Sequence, residues 1–351
     1  MIRSIQALNP HAEFAGIGGK KMEGAGLRSL EDIDKLAVMG FVEIIKHLSF
    51  FKTLTDRLLN EIKSIQPIQI ILIDYPGFNL RLAKKIKKRF DIPITYYISP
   101  QLWAWKEKRI KIIRRCIDQM LVIFPFEESW YKERGIQVKF VGHPIFDVWT
   151  PTSKSALCNI LKLNPDKPIV TFYPGSRKQE LSRHLPLFIK VAENLRDKNP
   201  QIQFILGLSY KLIPDHFSIP NWIQIEKDCP QKALECADVA LVASGSATLE
   251  AAVYGVPMII IYKMAILSWW LSKLLVKTNY AGMVNIIAKK KIMPEYLQYQ
   301  ATVKSITNET FEIISNGEKQ KEMRSELLRV KKTLQSSSAS QIAAKHILSL
   351  T

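Results

Sequence analysis

A chain of 351 residues exceeds what one ordinary core fills, since single cores stop growing near ~250 residues, so two domains are expected. Hydrophobic residues make up 47% and charged residues 23%, which excludes an extensively disordered chain. The formal net charge of +18 requires a surface that attracts polyanions, whether nucleic acid, anionic lipid headgroups or phosphorylated substrates.

Met1-Ile-Arg-Ser-Ile runs directly into polar Gln6 and Asn9-Pro10, without the sustained apolar stretch of a signal peptide. The first half then alternates short apolar runs with basic amphipathic stretches, the pattern of βα units on a parallel sheet. Strands are predicted at Phe14 to Ile17, Gln69 to Ile73, Ile94 to Ile98, Gln119 to Ile123 and Lys139 to Val141. Helical spacing of apolar residues marks Val38 to Ile65 and Asn79 to Arg89, the latter with lysines around a Leu80, Ala83, Ile86 face.

Proline and small polar residues break the rhythm at Asp147-Val-Trp-Thr-Pro-Thr-Ser-Lys, which predicts an interdomain linker near Pro151. The expected organisation is a first α/β lobe over 1–150, a second over 151–330, and a helical tail over 331–351 packing back on the first. In the second lobe strands are predicted at Ile169 to Tyr173, Gln203 to Leu208, Trp222 to Ile225, Val239 to Ala243 and Met258 to Ile261. Helices are predicted up to about Lys198 and through Tyr254. The fold class is thus α/β, two Rossmann-like lobes facing a cleft.

Cys116, Cys158, Cys229 and Cys236 form no CxxC pair and lack His at metal-ligand spacing, which fits a reduced cytoplasmic protein with no metal and no cofactor. No run of ~18 uncharged apolar residues spans a bilayer. The stretch Ala265 to Lys277 mixes apolar and aromatic residues with lysines; it suits lying in a membrane interface, and equally a core helix or a dimer contact.

The clearest local signal is Val242-Ala-Ser-Gly-Ser-Ala-Thr-Leu-Glu-Ala-Ala, where an apolar strand ends in small residues and opens directly into a helix. That geometry aims backbone N–H groups at a phosphate. Gly245 permits close approach, Ser244, Ser246 and Thr248 offer hydroxyls, and Glu250 suits ribose hydroxyls. Simple helix-on-strand packing is the alternative. A second strand-to-helix loop, Tyr173-Pro-Gly-Ser-Arg-Lys-Gln-Glu, adds the planar fork of Arg177 beside Gly175, Ser176 and Glu180. Ligands bind at carboxyl ends of strands in open parallel sheets, so both loops can reach one nucleotide.

In the first lobe Asp74 ends a strand in Ile73-Asp-Tyr-Pro-Gly-Phe-Asn and faces the expected cleft, or else caps the following helix. Trp103 and Trp105, in Ser99-Pro-Gln-Leu-Trp-Ala-Trp, can stack on a sugar or cover an acyl chain; ordinary packing is the alternative. His143, in Val141-Gly-His-Pro, is the histidine best placed for chemistry, with a structural hydrogen bond as its other reading. The GIGG at Gly16 to Gly19 lacks the last glycine of a dinucleotide fingerprint. Basic residues are spread over many helices rather than one face, which argues against a nucleic-acid partner.

Taken together and in order, AVMGFVEII, ILIDYPGFN, YYISPQLWAW, FPFE, FVGHP, YPGSRKQE and ASGSATLEAAVYGVPMII resemble the motif series of the lipid-A-disaccharide synthases, from about Phe14 to Gln300. The resemblance implies a glycosyltransferase B-type fold and an inverting, metal-independent glycosyltransferase. Its substrates are UDP-2,3-diacylglucosamine and 2,3-diacylglucosamine 1-phosphate, and its products the β-1,6 disaccharide 1-phosphate and UDP.

Inversion needs a base for the acceptor 6-hydroxyl and positive character on the departing UDP. Asp74 is the expected base, with His143 second. Gly175, Ser176, Arg177, Glu180, Ser244, Gly245, Ser246, Thr248, Glu250 and Asn285 are expected on the UDP-sugar, and Asn79, Trp103 and Trp105 on the acceptor and its acyl chains. The implied location is cytoplasmic, peripheral at the inner face of the inner membrane, with homodimerisation left open.

Two departures from the family accompany this resemblance. The family opens with a strand and a Gly-Glu-x-Ser-Gly-Asp turn that would precede Met1; a misassigned start codon or a truncated, non-catalytic remnant that binds UDP or lipid would account for their absence. That strand is normally central, so its two neighbours are expected to expose ladder groups. Met283-Val-Asn-Ile stands where the family commonly has Leu-Pro-Asn, while Asn285, Pro294 and Glu295 still match. A different UDP-N-acetylglucosamine enzyme of this fold is the rival within the class.

Overall fold

The computed structural model describes residues 1–33, 48–150, 152–208, 212, 218–266, 269–270, 275 and 277–350. The AVMGFVEII motif and the first part of the helix predicted from Val38 lie outside the described residues, as do 267–268, 271–274 and 276 of the apolar stretch. The chain packs as two compact units, Met1–Asp147 with Ser336–Thr351, and Val148–Gln335.

The first unit contains α1 (Ile2–Leu8), β1 (Phe14–Gly18), α2 (Lys20–Glu23), β2 (Leu27–Asp32), α3 (Leu48–Ile65), β3 (Ile70–Ile73), α4 (Pro76–Lys87), β4 (Ile94–Tyr97), α5 (Ile110–Cys116), β5 (Gln119–Val122), α6 (Pro125–Lys132), β6 (Lys139–Phe140) and α7 (Ile145–Val148). Its last residues add α15 (Ala339–Leu348). Strands β3-β4-β5-β6 form one parallel sheet in that order, and β1-β2 a separate parallel pair. Ile17 and Leu30 of the pair nevertheless pack on the core built by Leu72, Ile94, Tyr96 and Val122 of the larger sheet. The ladder is therefore interrupted while the core continues: among the described residues β1 and β3 each have a strand neighbour on one edge only.

Helix α4 shows how sequence sets these elements. Proline at its first turn is preorganised for helix entry. Phe78, Leu82, Ala83 and Ile86 bury one side, and Lys84, Lys85 and Lys87 complement the carboxyl end of the dipole. Helix α15 lies against α1; Ile2 and Ile5 of one and Ala343, Ala344 and Ile347 of the other are buried.

The second unit runs α8 (Lys154–Ile160), β7 (Ile169–Tyr173), α9 (Lys178–Lys198), β8 (Gln203–Gly207), β9 (Ile223–Glu226), α10 (Gln231–Glu235), β10 (Val239–Ala243), α11 (Ser246–Val253), β11 (Met258–Tyr262), α12 (Met283–Ala288), β12 (Glu295–Leu297), α13 (Val303–Ser315) and α14 (Gly317–Leu334). Its parallel sheet has the order β12-β11-β10-β7-β8-β9. Every residue of Val239–Ala243 is buried; a strand covered on both faces reads as a continuous apolar run. Predicted and observed limits agree at β7 and β10 and differ by a residue at one or both ends of the other predicted strands, the ordinary latitude of element ends.

Candidate active site

The strand order places the functional loops. From β7 the chain proceeds outward to β8 and β9; from β10 it proceeds the other way, to β11 and β12. The reversal falls between β7 and β10, which run side by side with Val239 opposite Val170 and Val242 opposite Tyr173. Loops leaving adjacent strands in opposite directions open a crevice at their carboxyl ends. Pro174 to Arg177 and Ser244 to Gly245 are those two loops.

Gly175 has φ +116°, and a Cβ there would lie 2.3 Å from Glu180 Oε2, so both backbone and space demand glycine. Glu180 accepts from Ser176 N–H at 3.1 Å and from Arg177 Nη1 at 3.4 Å. Arg177 remains exposed at the head of α9 while Glu180 is largely covered. Gly245 caps α11 at φ +117° with open space where a Cβ would project, so its requirement is purely conformational. Ser246 is exposed, whereas Thr248 is buried and donates its hydroxyl to the Gly245 carbonyl at 2.8 Å. Thr248 thus shapes the turn rather than facing outward.

Glu250 accepts from Tyr173 Oη–H at 2.7 Å, which links the two loops' elements. Burial raises its carboxyl above the usual range, with the tyrosine bond opposing. Ser244 donates to the Ala281 carbonyl at 2.6 Å. Glu295 in turn accepts from Ala281 N–H at 3.0 Å, Gly282 N–H at 2.9 Å and Asn285 Nδ2 at 2.8 Å. Asn285 is fully buried and also accepts from Ile292 and Met293 N–H, so its side chain is consumed in fixing this segment.

In the first unit Asp74 is exposed just past β3. Asp74 and Tyr75 both adopt left-handed backbone, at φ 44° and 46°. Consecutive non-glycine residues in that region persist only where their surroundings hold them. Here Asn79 Nδ2 donates to the Asp74 carbonyl at 2.7 Å and to that of Ile73 at 3.1 Å, and buried Tyr96 donates its hydroxyl to the same Asp74 carbonyl. Asp74 is exposed as a residue, yet desolvation of its carboxyl by its neighbours raises its pKa, with the Tyr75 backbone bond opposing.

Burial lowers the His143 pKa to about 4. Its Nδ1 accepts from Ile145 N–H at 3.2 Å, so the ring is neutral with its proton on Nε2. No lone pair is left to take a proton without breaking that bond. Trp103 is buried, with Nε1–H donated to Glu127 at 3.0 Å, while Trp105 is half-buried with Lys106 Nζ 4.2 Å over its ring.

The sequence reading passed over three buried polar residues. His184 accepts from Lys263 N–H at 3.0 Å through Nε2 and donates through Nδ1 to the Pro174 carbonyl at 2.8 Å, pinning the loop after β7. Tyr96 holds Asp74, and Glu127 holds Ser99 and Trp103. The FPFE motif, with glutamate third in a helix opened by proline, was the available signal for Glu127.

Two parallel α/β units, one with two strand-to-helix loops side by side at its switch point, define the fold shared by glycosyltransferase B-type enzymes and sugar-nucleotide epimerases. UDP-GlcNAc 2-epimerase from Neisseria meningitidis, solved bound to UDP-GlcNAc, is similar at TM-score 0.66 and 12% identity over 99% of this chain and 96% of that one. The calicheamicin glycosyltransferase is similar at TM-score 0.58 and 14% identity, covering 99% and 93%. These likenesses concern fold alone.

The sequence pattern of the family described as lipid-A-disaccharide synthetase matches residues 1–347. Lipid-A-disaccharide synthase from Coxiella burnetii (strain CbuG_Q212) is 38% identical, over 100% of this chain and 94% of that protein. Lipid-A-disaccharide synthase 1 from Legionella pneumophila (strain Philadelphia 1) is 37% identical, over 97% and 90%. The chain belongs to the lipid-A-disaccharide synthase family and is a glycosyltransferase.

Proposed function

We propose that the chain transfers 2,3-diacylglucosamine from UDP-2,3-diacylglucosamine to the 6-hydroxyl of 2,3-diacylglucosamine 1-phosphate. The Asp74 carboxylate takes the hydroxyl proton as the oxygen attacks the anomeric carbon. The bond from that carbon to the UDP oxygen breaks on the opposite face, so configuration inverts and UDP departs. The observation that carries the donor half is the pairing of the Gly175–Arg177 and Ser244–Ser246 loops at the switch point, backbone N–H groups and a guanidinium beside one crevice. Glu250 is assigned to the ribose. Asp74 is preferred over His143 because the residue is exposed, whereas the histidine's acceptor nitrogen is occupied.

Association with an anionic membrane face supplies both acylated substrates. Ile266 and Trp270, 61% and 62% exposed, support it. A cavity of about 500 Å³ lined by Arg183, Lys190 and Lys263 suits acidic headgroups. No helix among the described residues is long and apolar enough to cross a membrane.

The test is incubation of the purified chain with both diacylated substrates, following UDP release and the disaccharide 1-phosphate by mass spectrometry. UDP-N-acetylglucosamine is the parallel substrate. Its turnover in place of the diacylated donor would replace this reading with that of another UDP-N-acetylglucosamine enzyme of the same fold.

A further inference from the structure

The loop joining β4 to α5 is held in tension at both ends. It leaves the strand through Ile98 at φ 63° and approaches the helix through Lys106 at φ 54°. A β-branched residue at positive φ is a true outlier, maintained only where contacts over-determine it.

Glu127 supplies those contacts. Its Oε1 accepts from Ser99 Oγ at 2.6 Å and from Trp103 Nε1 at 3.0 Å, and its Oε2 accepts from Phe124 N–H at 3.2 Å. Ser99 and Trp103 lie in the loop; Phe124 is the N-cap of α6, and its N–H bond to Glu127, third in the helix, ties the helix start to the same carboxyl. The residue is 1% exposed, and no cation pairs with it among the described residues. Tyr131, on the same helix, adds a bond from its hydroxyl to the Pro100 carbonyl at 3.3 Å. Trp103 packs edge-on to Phe126 at 5.0 Å, and Phe126 stacks on Phe124 at 5.7 Å.

Burying a carboxyl group without a cation is costly, and an apolar side chain would fill this space at lower cost. What the carboxyl group provides is simultaneous acceptance, through two oxygens, from three donors on two segments. The loop's outer members, Gln101, Trp105 and Lys106, are then presented from a fixed base at the carboxyl ends of β4 and β5.

We propose that Glu127 is a positioning residue for the acceptor: by gripping Ser99 and Trp103 together it sets the Ser99 to Lys106 loop that meets the acylated acceptor sugar. This rests on the reading of that loop as acceptor-binding. Neither Glu127 nor Tyr131 touches substrate in this scheme.

The experiment is steady-state kinetics with each substrate varied in turn, on Glu127→Gln, Trp103→Phe and the double variant. Glutamine keeps the side-chain length but presents a donor toward Phe124 N–H or toward the loop. Phenylalanine removes the indole N–H and part of the buried ring while leaving Glu127 in place, so it stands in if Glu127→Gln folds poorly. Each single variant is expected to raise the acceptor KM about tenfold while the donor KM stays within about twofold, and the double variant to add little to either, as residues sharing one bond do.

Equal movement of both KM values, or strictly additive effects, overturns the proposal. Trp105→Ala separates the underlying reading. If it leaves the acceptor KM unchanged, the loop does not meet the acceptor. If it raises that KM while Glu127→Gln does not, the loop reading stands and the positioning role is lost.

Discussion

Tyr173 donates its hydroxyl to Glu250 at 2.7 Å, joining the end of β7 to α11 across the reversal of the sheet. Each of the two strand-to-helix loops thereby depends on the other's element. Tyr173→Phe leaves the half-buried carboxyl of Glu250 without this donor, and hydrogen bonds to charged groups contribute about 1.5–3 kcal/mol. Unfolding in urea is expected to show a loss of roughly 1–2 kcal/mol, accompanied by a several-fold rise in donor KM and little change for the acceptor. An unchanged donor KM would separate this bond from nucleotide binding.

General bases contribute typically 10²–10⁴-fold to rate, so Asp74→Asn is expected to reduce kcat by about that factor while calorimetric UDP affinity stays within about threefold. His143→Gln is expected to retain most turnover, because the imidazole serves as a hydrogen-bond acceptor for Ile145 N–H at 3.2 Å and a carboxamide oxygen can replace it. Near-full turnover in Asp74→Asn with collapse in His143→Gln would reverse the assignment.

Gly175 and Gly245 separate backbone strain from steric exclusion. Both hold φ near +116°, yet only at Gly175 does an added Cβ meet a neighbour, Glu180 Oε2 at 2.3 Å. Gly245→Ala carries the conformational cost alone, on the order of 1–3 kcal/mol. Gly175→Ala also pushes aside the carboxylate that holds Ser176 N–H and Arg177. It is expected to weaken UDP binding the more of the two, approaching the defect of Arg177→Ala, as measured by titration calorimetry.

These contrasts also explain what the sequence could reveal. Central strands such as Val239–Ala243 announce themselves as unbroken apolar runs because both faces are covered. The two strand-to-helix loops were legible because small residues between an apolar run and a helical pattern mark a tight turn, and both hold a glycine at positive φ. Leu27–Asp32 and Glu295–Leu297 went unpredicted: each places charge in a strand at the margin of its sheet, where burial imposes no pattern.

The contacts made by the clamps His184, Tyr96 and Glu127 were illegible for another reason. Their partners lie up to 79, 22 and 28 residues away in sequence, so only the folded chain brings donor to acceptor. Asn285 illustrates the converse. Its motif position suggested a ligand contact, while its four hydrogen bonds all go to its own segment and Glu295.

The interrupted ladder of the first unit makes a prediction for amide exchange. Ile70 and Asp74 donate toward β4, so strand alternation turns the amides of Ile71 and Ile73 to the edge that has no strand neighbour among the described residues. Ile71 and Ile73 are expected to exchange faster than Leu72, whose amide faces β4, and far faster than Tyr96 in the middle strand. Exchange resolved by residue checks this; equal protection of Ile71 and Leu72 would mean the edge is covered in solution.

Glu127 makes stability depend on pH in a direction opposite to that of an ion-paired carboxylate. Burial raises its pKa to about 7, against the hydrogen bonds from Ser99, Trp103 and Phe124, whereas an unfolded glutamate titrates near ~4.3. Between those values the folded chain holds a proton that the unfolded chain releases, so stability falls as pH rises. The contribution is complete below the unfolded value and gone above the folded one. It amounts to something on the order of 3 kcal/mol. Asp74, Glu235 and Glu250, whose pKa values are also raised, act in the same sense. They are common to the parent and to Glu127→Gln, so the difference between the two proteins isolates Glu127. Urea unfolding at about pH 5, 6 and 8 is therefore expected to show the parent losing more stability than the variant across this window. Parallel curves would mean that the carboxyl titrates at its ordinary value and that its burial in the loop anchor is relieved in solution.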